Sequence, residues 1–311
     1  MIRRGTAGSL VFFAVLITLV AMPAPANAAS PDPADDPTRV SLSTLRPRIS
    51  AAVSDRGRPY ADGCHAAPAV TRPVHCTYGR RDGRIRVVVI GDSITAQWWA
   101  AIDGAARRGG WRVTWMTKSA CPAADVTVRR LGTRYTACDT WRRNVLTKIR
   151  GLSRVDLVVM SGSSSSTLLR RRDGSVISGT TLRATAWRNG YQRTIDRLAG
   201  QVRRVVILRD TPAFTRSIPK CLAAQGGSTQ PCSRDRSASL SMPTWHAELS
   251  IDAAYGWVRA TDLADRLCQP TRCWPVTVER LLRYRDDHHL TNTYAAAMAP
   301  AMYSRLRWLI R

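Results

Sequence analysis

Lysine is nearly missing from this sequence of 311 residues, since it occurs only at positions 118, 148 and 220. The formal net charge of +25 therefore comes almost entirely from arginine. A nucleic-acid-binding protein concentrates its basic residues in a motif with stacking aromatic residues, whereas these arginines flank predicted strands and helices along the chain. We expect no nucleic-acid partner. The charge reflects either a compositional bias of the surface or attraction to anionic polymers and membrane surfaces.

Long hydrophobic runs are missing beyond Met22, so no later segment is apolar enough to span a bilayer. The one apolar run, residues 9–22, follows two arginines and precedes Ala26-Asn27-Ala28, a small-residue cleavage pattern. This run is shorter than the roughly 20 residues that a membrane helix needs. Residues 1–28 are therefore predicted to be a signal peptide, and the mature chain is expected to be secreted or extracytoplasmic and associated with the cell envelope.

No CxxC pair occurs among the eight cysteines, which disfavours a zinc site. An even number of cysteines in an exported protein is typical of disulfide bonding. Spacing alone does not choose among the roughly 105 possible pairings. Because the cysteines fall as sequence neighbours, we expect four local bridges: Cys64–Cys76, Cys121–Cys138, Cys221–Cys232 and Cys268–Cys273.

Two regions follow the predicted signal peptide. Residues 29–63 are rich in Pro, Asp and Arg with little periodic apolar content, which predicts a linker or loose N-terminal extension. Residues 64–311 are expected to form one α/β domain. Strands are predicted at 86–90, 111–117, 155–161, 202–209 and 257–261, and helices at 96–108, 139–152, 181–199 and 237–255. This alternation predicts a parallel sheet with helices on both faces.

The stretch VVVIGDSITAQWWA, residues 87–100, leads from the first of these strands through Gly91-Asp92-Ser93 into a helix. Ligands of open parallel sheets bind at the carboxyl ends of the strands, where Ser93 is expected to lie. The N–H of Ser93 and the positive end of the helix can face a developing oxyanion there. Gly-Asp-Ser alone is common in turns, and a serine hydroxyl needs a positioned base to become a nucleophile.

Only two of the five histidines have a suitable setting for that base. The histidines at 65 and 75 lie beside cysteines in a predicted N-terminal loop, and the one at 246 lies in a helical stretch. The other two belong to YRDDHHLTNTY, residues 284–294. There Asp286 and His289 are three residues apart, which lets the carboxylate accept from Nδ1 while Nε2 turns toward a serine.

Three alternatives to that pair remain open at this point. Asp287 and His288 form a competing pair. Asp286, Asp287, His288 and His289 together form a candidate metal site, although the sequence shows no further ligand from another segment. The cluster is also compatible with a capped helix start whose polar groups are satisfied, with Thr291 or Asn292 as the N-cap.

Taken together, these motifs resemble the SGNH (GDSL-like) hydrolase superfamily, through GDS after an early hydrophobic strand and DxxHL(T/S) before a C-terminal helix. The chain is more similar still to the SGNH domain that is fused to integral-membrane acyltransferases of cell-envelope glycans. The shared motifs appear in this order: CTYG, VVVIGDSITAQWW, GWRVTWMTKSACP, Cys138 with Trp141, DLVVMS and YRDDHHLT. Jointly they are much more specific than any one of them, and they cover residues 64–305.

The resemblance implies a flavodoxin-like three-layer α/β/α sandwich, for which we predict a mostly parallel sheet of five strands. It implies that Ser93 is the nucleophile, His289 the base and Asp286 the carboxylate that orients the base. No metal and no organic cofactor are expected, because a hydroxyl, an imidazole and a carboxylate suffice for this chemistry.

The sequence departs from the superfamily at the oxyanion donors. The family takes them from a glycine after the second strand and an asparagine in a GxND-like motif after the third. Here those places hold Thr117-Lys118-Ser119-Ala120 and Ser161-Gly162-Ser163-Ser164, without an asparagine. We predict that the N–H of Ser93 supplies one donor. The other is expected from Ser119 or from a residue among Gly162, Ser163 and Ser164, by backbone or hydroxyl.

These features favour a secreted serine hydrolase that cleaves O-acyl esters, acetyl or short acyl, on a cell-envelope glycan or lipid. An O-acyltransferase that uses the same triad is an alternative, and it would rely on a membrane acyltransferase partner or another acyl donor. A non-catalytic basic module that binds anionic envelope polymers is the second alternative. We expect the chain to be a monomer.

Overall fold

The computed structural model describes residues 37–164, 167–171 and 173–310, so the predicted signal peptide, residues 1–28, lies outside the described residues. The strands are β1 (His65–Ala66), β2 (Cys76–Gly79), β3 (Ile85–Gly91), β4 (Trp111–Lys118), β5 (Thr127–Arg130), β6 (Thr133–Arg134), β7 (Leu157–Met160), β8 (Leu168–Arg170), β9 (Val205–Leu208), β10 (Arg234–Asp235), β11 (Val258–Thr261) and β12 (Arg272–Cys273). The helices are α1 (Ile49–Ala52), α2 (Arg58–Ala61), α3 (Ser93–Ala96), α4 (Trp99–Gly109), α5 (Thr136–Arg150), α6 (Thr180–Asp196), α7 (Ile218–Ala224), α8 (Arg236–Ser239), α9 (Met242–Ala254), α10 (Ala264–Leu267), α11 (Asn292–Ala297) and α12 (Ala299–Leu306). Short 3₁₀ turns cover Leu42–Thr44, Gln230–Cys232 and Arg307–Leu309.

The main sheet is mostly parallel and has the strand order β1-β4-β3-β7-β9-β11. Neighbouring strands in this order are parallel. On the edge of β4 that faces away from β3, β2 also pairs with β4 and is antiparallel to it. The prediction of five strands is therefore wrong in number, although all five predicted strands are present as β3, β4, β7, β9 and β11. The prediction missed β1 and β2 because they are short and owe their strand conformation to pairing with β4.

The core consists of two apolar layers, one on each face of the sheet. Successive side chains of a strand point to opposite faces. In β3, Val87 and Val89 belong to one buried cluster, and Val88 and Ile90 belong to the other. The unbroken aliphatic run of β3 is thus explained by burial on both faces, as expected for a parallel strand covered by helices. The first face is covered by α4, α11 and α12, and the second by α5 and α6.

The cysteines are joined in the four predicted pairs, Cys64–Cys76, Cys121–Cys138, Cys221–Cys232 and Cys268–Cys273. The first pair connects β1 to β2 at the edge of the main sheet. The second connects the loop that follows β4 to α5. Within residues 37–164, 167–171 and 173–310, no helix combines the length and the apolarity needed to cross a bilayer.

Residues 37–63, the described part of the segment predicted to be a linker or loose extension, pack against the domain. Leu45 and Ala52 are buried in the first core layer. Asp55 accepts hydrogen bonds from two backbone N–H groups at the start of α11, from Asn292 to its carbonyl and from Thr293 to its carboxylate. This packing could not be predicted from the sequence, because the few apolar residues of the segment have no helical or strand periodicity.

Candidate active site

Ser93 lies at the junction of β3 and α3, where the sequence predicted it. Asp92 is the N-cap of α3, and Ser93 is the first helical residue, so its N–H has no acceptor within the helix. The turn requires Gly91, which has a φ of 145°. A Cβ at that position would overlap the Thr95 hydroxyl and the Ser161 carbonyl. A tight glycine turn thus directs the serine to the carboxyl edge of the sheet.

Asp92 connects this turn to the loop that follows β7. Its buried carboxylate accepts hydrogen bonds from the N–H of Ile94 at 2.9 Å and from the N–H of Ser163 at 2.8 Å. Burial raises the pKa of Asp92 to about 7, although the two N–H donors favour the charged form. Sequence reasoning missed this role, for which the only signal is an aspartate at an N-cap position.

The structure brings together the three residues of the candidate triad. The Nε2 atom of His289 lies 2.8 Å from the Oγ atom of Ser93, across 196 residues of sequence. The Nδ1 atom of His289 lies 2.8 Å from Oδ2 of Asp286. The other carboxylate oxygen of Asp286 accepts from the N–H groups of His288 at 3.0 Å and His289 at 2.7 Å. This geometry allows proton transfer from the hydroxyl to an oriented imidazole.

The pKa shifts of His289 and Asp286 favour the protonation states that proton transfer from Ser93 requires. Burial lowers the pKa of His289, and the adjacent Asp286 carboxylate offsets part of that effect. Burial opposes the ionisation of Asp286, but the hydrogen bonds from His289 and from two backbone N–H groups hold its pKa well below the usual range. At neutral pH the imidazole is therefore neutral and the carboxylate is charged.

A buried polar network holds the loop that carries His289. The Leu290 N–H donates to Gln97 Oε1 at 2.6 Å, and Gln97 Nε2 donates to Thr211 Oγ1 at 3.1 Å. The Thr211 hydroxyl in turn donates to the His288 carbonyl at 2.9 Å. Gln97 follows Ser93 by one helical turn, so the candidate nucleophile and the side chain that supports the candidate base belong to the same segment. Sequence reasoning missed Gln97 and Thr211.

The competing pair, Asp287 and His288, has a different arrangement. The His288 Nδ1 atom lies 2.6 Å from Oδ1 of Asp287. The hydrogen bond to the Ser93 hydroxyl is made by His289. The ligand atoms of Asp286, His288 and His289 all lie within 4.8 Å of one another, so these three residues could hold a metal ion. Two of those three residues are also the candidate base and its carboxylate.

The predicted oxyanion donors are largely engaged with other partners. The N–H of Ser119 donates to the Ala66 carbonyl, that of Ser163 to Asp92, and that of Ser164 to Asp210. Gly162 packs closely, because a Cβ there would lie 2.6 Å from Cβ of Pro122. The Ser164 hydroxyl also donates to Asp210, at 3.1 Å. Of the second donors that the sequence suggested, we therefore consider the Gly162 N–H and the Ser119 hydroxyl.

The Ser119 hydroxyl has an unexpected neighbour in His65. The His65 Nε2 atom lies 3.1 Å from Ser119 Oγ, and its Nδ1 atom lies 3.0 Å from Thr117 Oγ1. Burial, together with the positive charge of Arg285, lowers the pKa of His65 to about 3, so the ring is neutral. Sequence reasoning assigned His65 to a loop, whereas β1 places it beside the end of β4.

An aromatic and cationic group adjoins His65. The ring of Tyr60 lies 4.4 Å from the ring of His65, and Arg285 donates to the Tyr60 hydroxyl at 3.4 Å. Arg285 is buried, and its guanidinium is 4.0 Å from Asp286 Oδ2. Lys118 is buried nearby, where its ammonium donates to the carbonyls of residues 67, 68 and 70.

Comparison with known proteins is consistent with this architecture. The family model described as "SGNH domain (fused to AT3 domains)" matches residues 63–304. A search of curated proteins finds no significant match. Among solved structures, the chain is similar to the periplasmic domain of a lipopolysaccharide acetyltransferase from Salmonella ser. Paratyphi A. That domain shares 15% identity and a TM-score of 0.53, over 85% of this chain and 94% of that chain.

Two esterases are also similar in structure. A carbohydrate acetylesterase from Sinorhizobium meliloti has 12% identity and a TM-score of 0.46, over 73% of this chain and 100% of its own. The aryl esterase of M. smegmatis has 10% identity and a TM-score of 0.44, over 72% and 99%. The family match and the sheet topology identify the fold as the predicted three-layer α/β/α sandwich.

Proposed function

Because the chain belongs to the SGNH domain family, we propose that it is a serine enzyme that acts on O-acyl esters through Ser93, His289 and Asp286. The observation that carries this proposal is the pair of 2.8 Å contacts that links the hydroxyl to the imidazole and the imidazole to the carboxylate. The substrate class is an acetylated or short-acyl glycan or lipid of the cell envelope. The similarity to the periplasmic domain of a lipopolysaccharide acetyltransferase agrees with such substrates.

In the proposed mechanism His289 Nε2 takes the Ser93 proton while Oγ attacks the ester carbonyl. Asp286 stabilises the imidazolium that forms. The imidazolium then protonates the departing alcohol, which leaves an acyl group on Ser93. A water molecule, or a sugar hydroxyl in the transferase alternative, attacks this ester with His289 again as base, and the proton returns to Ser93.

For the oxyanion we propose the N–H of Ser93 and the hydroxyl of Ser119 as donors. Gly91 pairs with Thr117 in the sheet, and Ser93 and Ser119 each lie two residues beyond this pair, just past the ends of neighbouring strands. The Thr117 hydroxyl has only one proton to donate. Its oxygen lies 3.0 Å from His65 Nδ1 and 3.4 Å from the Cys64 carbonyl, so we assign the proton to the closer acceptor, His65 Nδ1. His65 then carries its proton on Nε2 and donates it to Ser119, whose own proton stays available for the oxyanion.

Replacement of Ser119 by alanine is expected to lower kcat by about 10²-fold to 10³-fold, the usual loss for one oxyanion donor. KM and the thermal unfolding midpoint should change little, because Ser119 is only partly buried. Steady-state kinetics on a soluble acetyl ester measures this, with Ser163→Ala as the matched serine variant. A wild-type kcat for Ser119→Ala would exclude its hydroxyl and leave the Gly162 N–H as the second donor.

The pH dependence of kcat/KM is expected to follow His289. Burial lowers its pKa below the ordinary value of 6.5, and only the neutral imidazole accepts the serine proton. Activity should therefore persist as the pH falls through 6.5 and decline only below it. Asp286→Asn removes the carboxylate that raises this pKa, so its acid limb should lie lower still. An acid limb of the wild-type profile with an apparent pKa above 6.5 would contradict the assignment of His289 as the base.

A panel of ester substrates tests the proposed activity and separates hydrolysis from transfer. The purified mature protein is incubated with short-acyl, long-acyl and sugar-acetate esters, with and without an acceptor glycan, beside Ser93→Ala. We expect Ser93-dependent release of acetate or another short acid. Accumulation of acylated glycan would support the O-acyltransferase alternative, which the family description and the Salmonella domain favour. Absence of any Ser93-dependent turnover or acylation would reject the enzyme.

We also propose that export removes residues 1–28, that residues 64–311 form the catalytic domain, and that the enzyme acts outside the cytoplasm. The four disulfides and the family's fusion to membrane acyltransferases elsewhere support this location. A separate membrane acyltransferase would be the partner if the chain transfers acyl groups. We propose a monomer for the hydrolytic reaction.

A further inference from the structure

A cavity of about 470 Å³ lies between β5, β6, β8, α5 and α6. This volume is within the usual range for a small-ligand site. None of the residues that line the cavity belongs to the candidate triad. The cavity is built by the segments that follow β4 and β7, which leave the sheet at the same edge as the segment that carries Ser93.

The lining of this cavity has a large excess of positive charge. Two carboxylates, Asp125 and Asp139, face six guanidinium groups: Arg134, Arg143, Arg170, Arg171, Arg193 and Arg197. The Asp125 carboxylate already contacts Arg193 at 3.6 Å and Arg197 at 3.4 Å. Asp125 also pairs with the buried Arg142 at 2.7 Å, behind the cavity. The two acids therefore leave most of the positive charge of the cavity without compensation.

Three of the lining arginines donate hydrogen bonds only to neutral groups among the residues that the structure describes, although Arg171 also interacts electrostatically with Asp173. Arg143 donates to the Thr140 hydroxyl at 3.1 Å, and Arg171 donates to the Ser175 hydroxyl at 3.3 Å. Arg170 donates to the Gly174 carbonyl. These guanidinium groups retain donors for an external anion, and a planar guanidinium can bind a carboxylate or a phosphate through two parallel hydrogen bonds.

We propose that this cavity is a binding site for an anionic polysaccharide, which it recognises through the carboxylate or phosphate groups of the sugar chain. The arginines come from separate elements around the cavity, an arrangement that suits anionic groups repeated along a polymer better than one isolated ion. Thr127 and Asn189 in the lining provide hydrogen-bonding groups for sugar hydroxyls. The site would hold the protein on envelope polymer while Ser93 acts on esters.

Titration calorimetry on the mature protein tests this site with three defined probes. An oligogalacturonate carries carboxylates, a phosphorylated mannan oligosaccharide carries phosphates, and cellohexaose is neutral. None of them contains an ester, so the result does not depend on the proposed activity of Ser93. We expect one or both anionic probes to bind more tightly than the neutral one. Raising the salt concentration from about 50 mM to about 200 mM should weaken that binding.

Matched double variants locate the binding. Arg143→Ala with Arg171→Ala removes two charges from the cavity. Arg84→Ala with Arg112→Ala removes two exposed charges near the amino ends of β3 and β4, far along the sheet from the carboxyl edge. The cavity variant should weaken anion binding by at least about tenfold, since it removes two guanidinium groups that would donate charge-assisted hydrogen bonds to the ligand. The control should change the Kd by less than about twofold, because charges at the other end of the sheet cannot hydrogen-bond to a ligand in the cavity and salt screens their longer-range attraction.

Equal weakening by the two double variants would mean that the protein attracts anions only through its overall charge, and it would overturn the proposal. Binding of the neutral probe as tight as that of the anionic probes would also overturn it, as would no binding of either anionic probe at low salt. Whichever anionic probe binds more tightly identifies carboxylate or phosphate as the recognised group.

Discussion

Ester turnover is expected to fall on the order of 10⁶-fold when Ser93 is replaced by alanine, which is the loss typical of a removed serine nucleophile. The alanine lacks the oxygen that forms the acyl-enzyme, and His289 is left without a proton to accept. Hydrolysis of a chromogenic acetyl ester and of an acetylated sugar measures the loss. The unfolding midpoint should stay close to that of the wild type, because the Ser93 side chain is only partly buried.

Covalent labelling provides a readout that does not depend on the substrate chosen. A fluorophosphonate probe should modify the wild-type protein and leave Ser93→Ala unlabelled. Ser153→Ala is the matched control, since Ser153 is exposed and contacts Arg86 near the amino end of β3. Negligible labelling of both the wild type and Ser93→Ala would reject a serine enzyme, and the non-catalytic basic module would then account better for the chain.

The second large effect is expected at His289 and not at His288. His289→Ala should lower kcat by about 10⁴-fold to 10⁶-fold, since it removes the base that contacts Ser93 at 2.8 Å. His288→Ala should keep turnover within about tenfold of the wild type, because the hydrogen bond from position 288 to Asp286 comes from the backbone N–H. Steady-state kinetics on the same acetyl ester compares the two variants. The reverse order would mean that Asp287 and His288 form the working pair.

A double variant separates a shared role from two independent ones. If Ser93 and His289 act in one proton transfer, Ser93→Ala combined with His289→Ala should be no slower than Ser93→Ala alone. Multiplicative losses would instead indicate that the imidazole contributes without the serine. Circular dichroism of each variant checks that the fold is retained.

The sequence is sufficient to predict the alternation of strands and helices and the position of Ser93. These features are local: the aliphatic runs of β3 and β7 are continuous because both faces of those strands are buried, and such runs can be read without coordinates. The cysteine pairs were predicted for the same reason, since each pair closes a short loop.

The contributions of His65, Gln97 and the two edge strands could not be predicted in this way. The short strands β1 and β2 have no repeating pattern, and only their pairing with β4 brings His65 next to Ser119. The contact of Gln97 with Leu290 spans 193 residues, so no local signal identifies it. The arginine-lined cavity could not be predicted from the sequence either. Arginine is frequent along the whole chain, so no local pattern shows which arginines from distant segments lie together in the fold.

The contact between Gln97 and Leu290 has a consequence for how the candidate site responds to thermal motion. The helical segment that begins at Ser93 is hydrogen-bonded, through Gln97, to the loop that carries the candidate base His289. We therefore expect a displacement of the segment to displace the loop as well. A breathing motion of the surrounding helices would thus shift the hydroxyl and the imidazole jointly, with little change in their separation. We therefore expect two residues that are 196 positions apart in the sequence to move together.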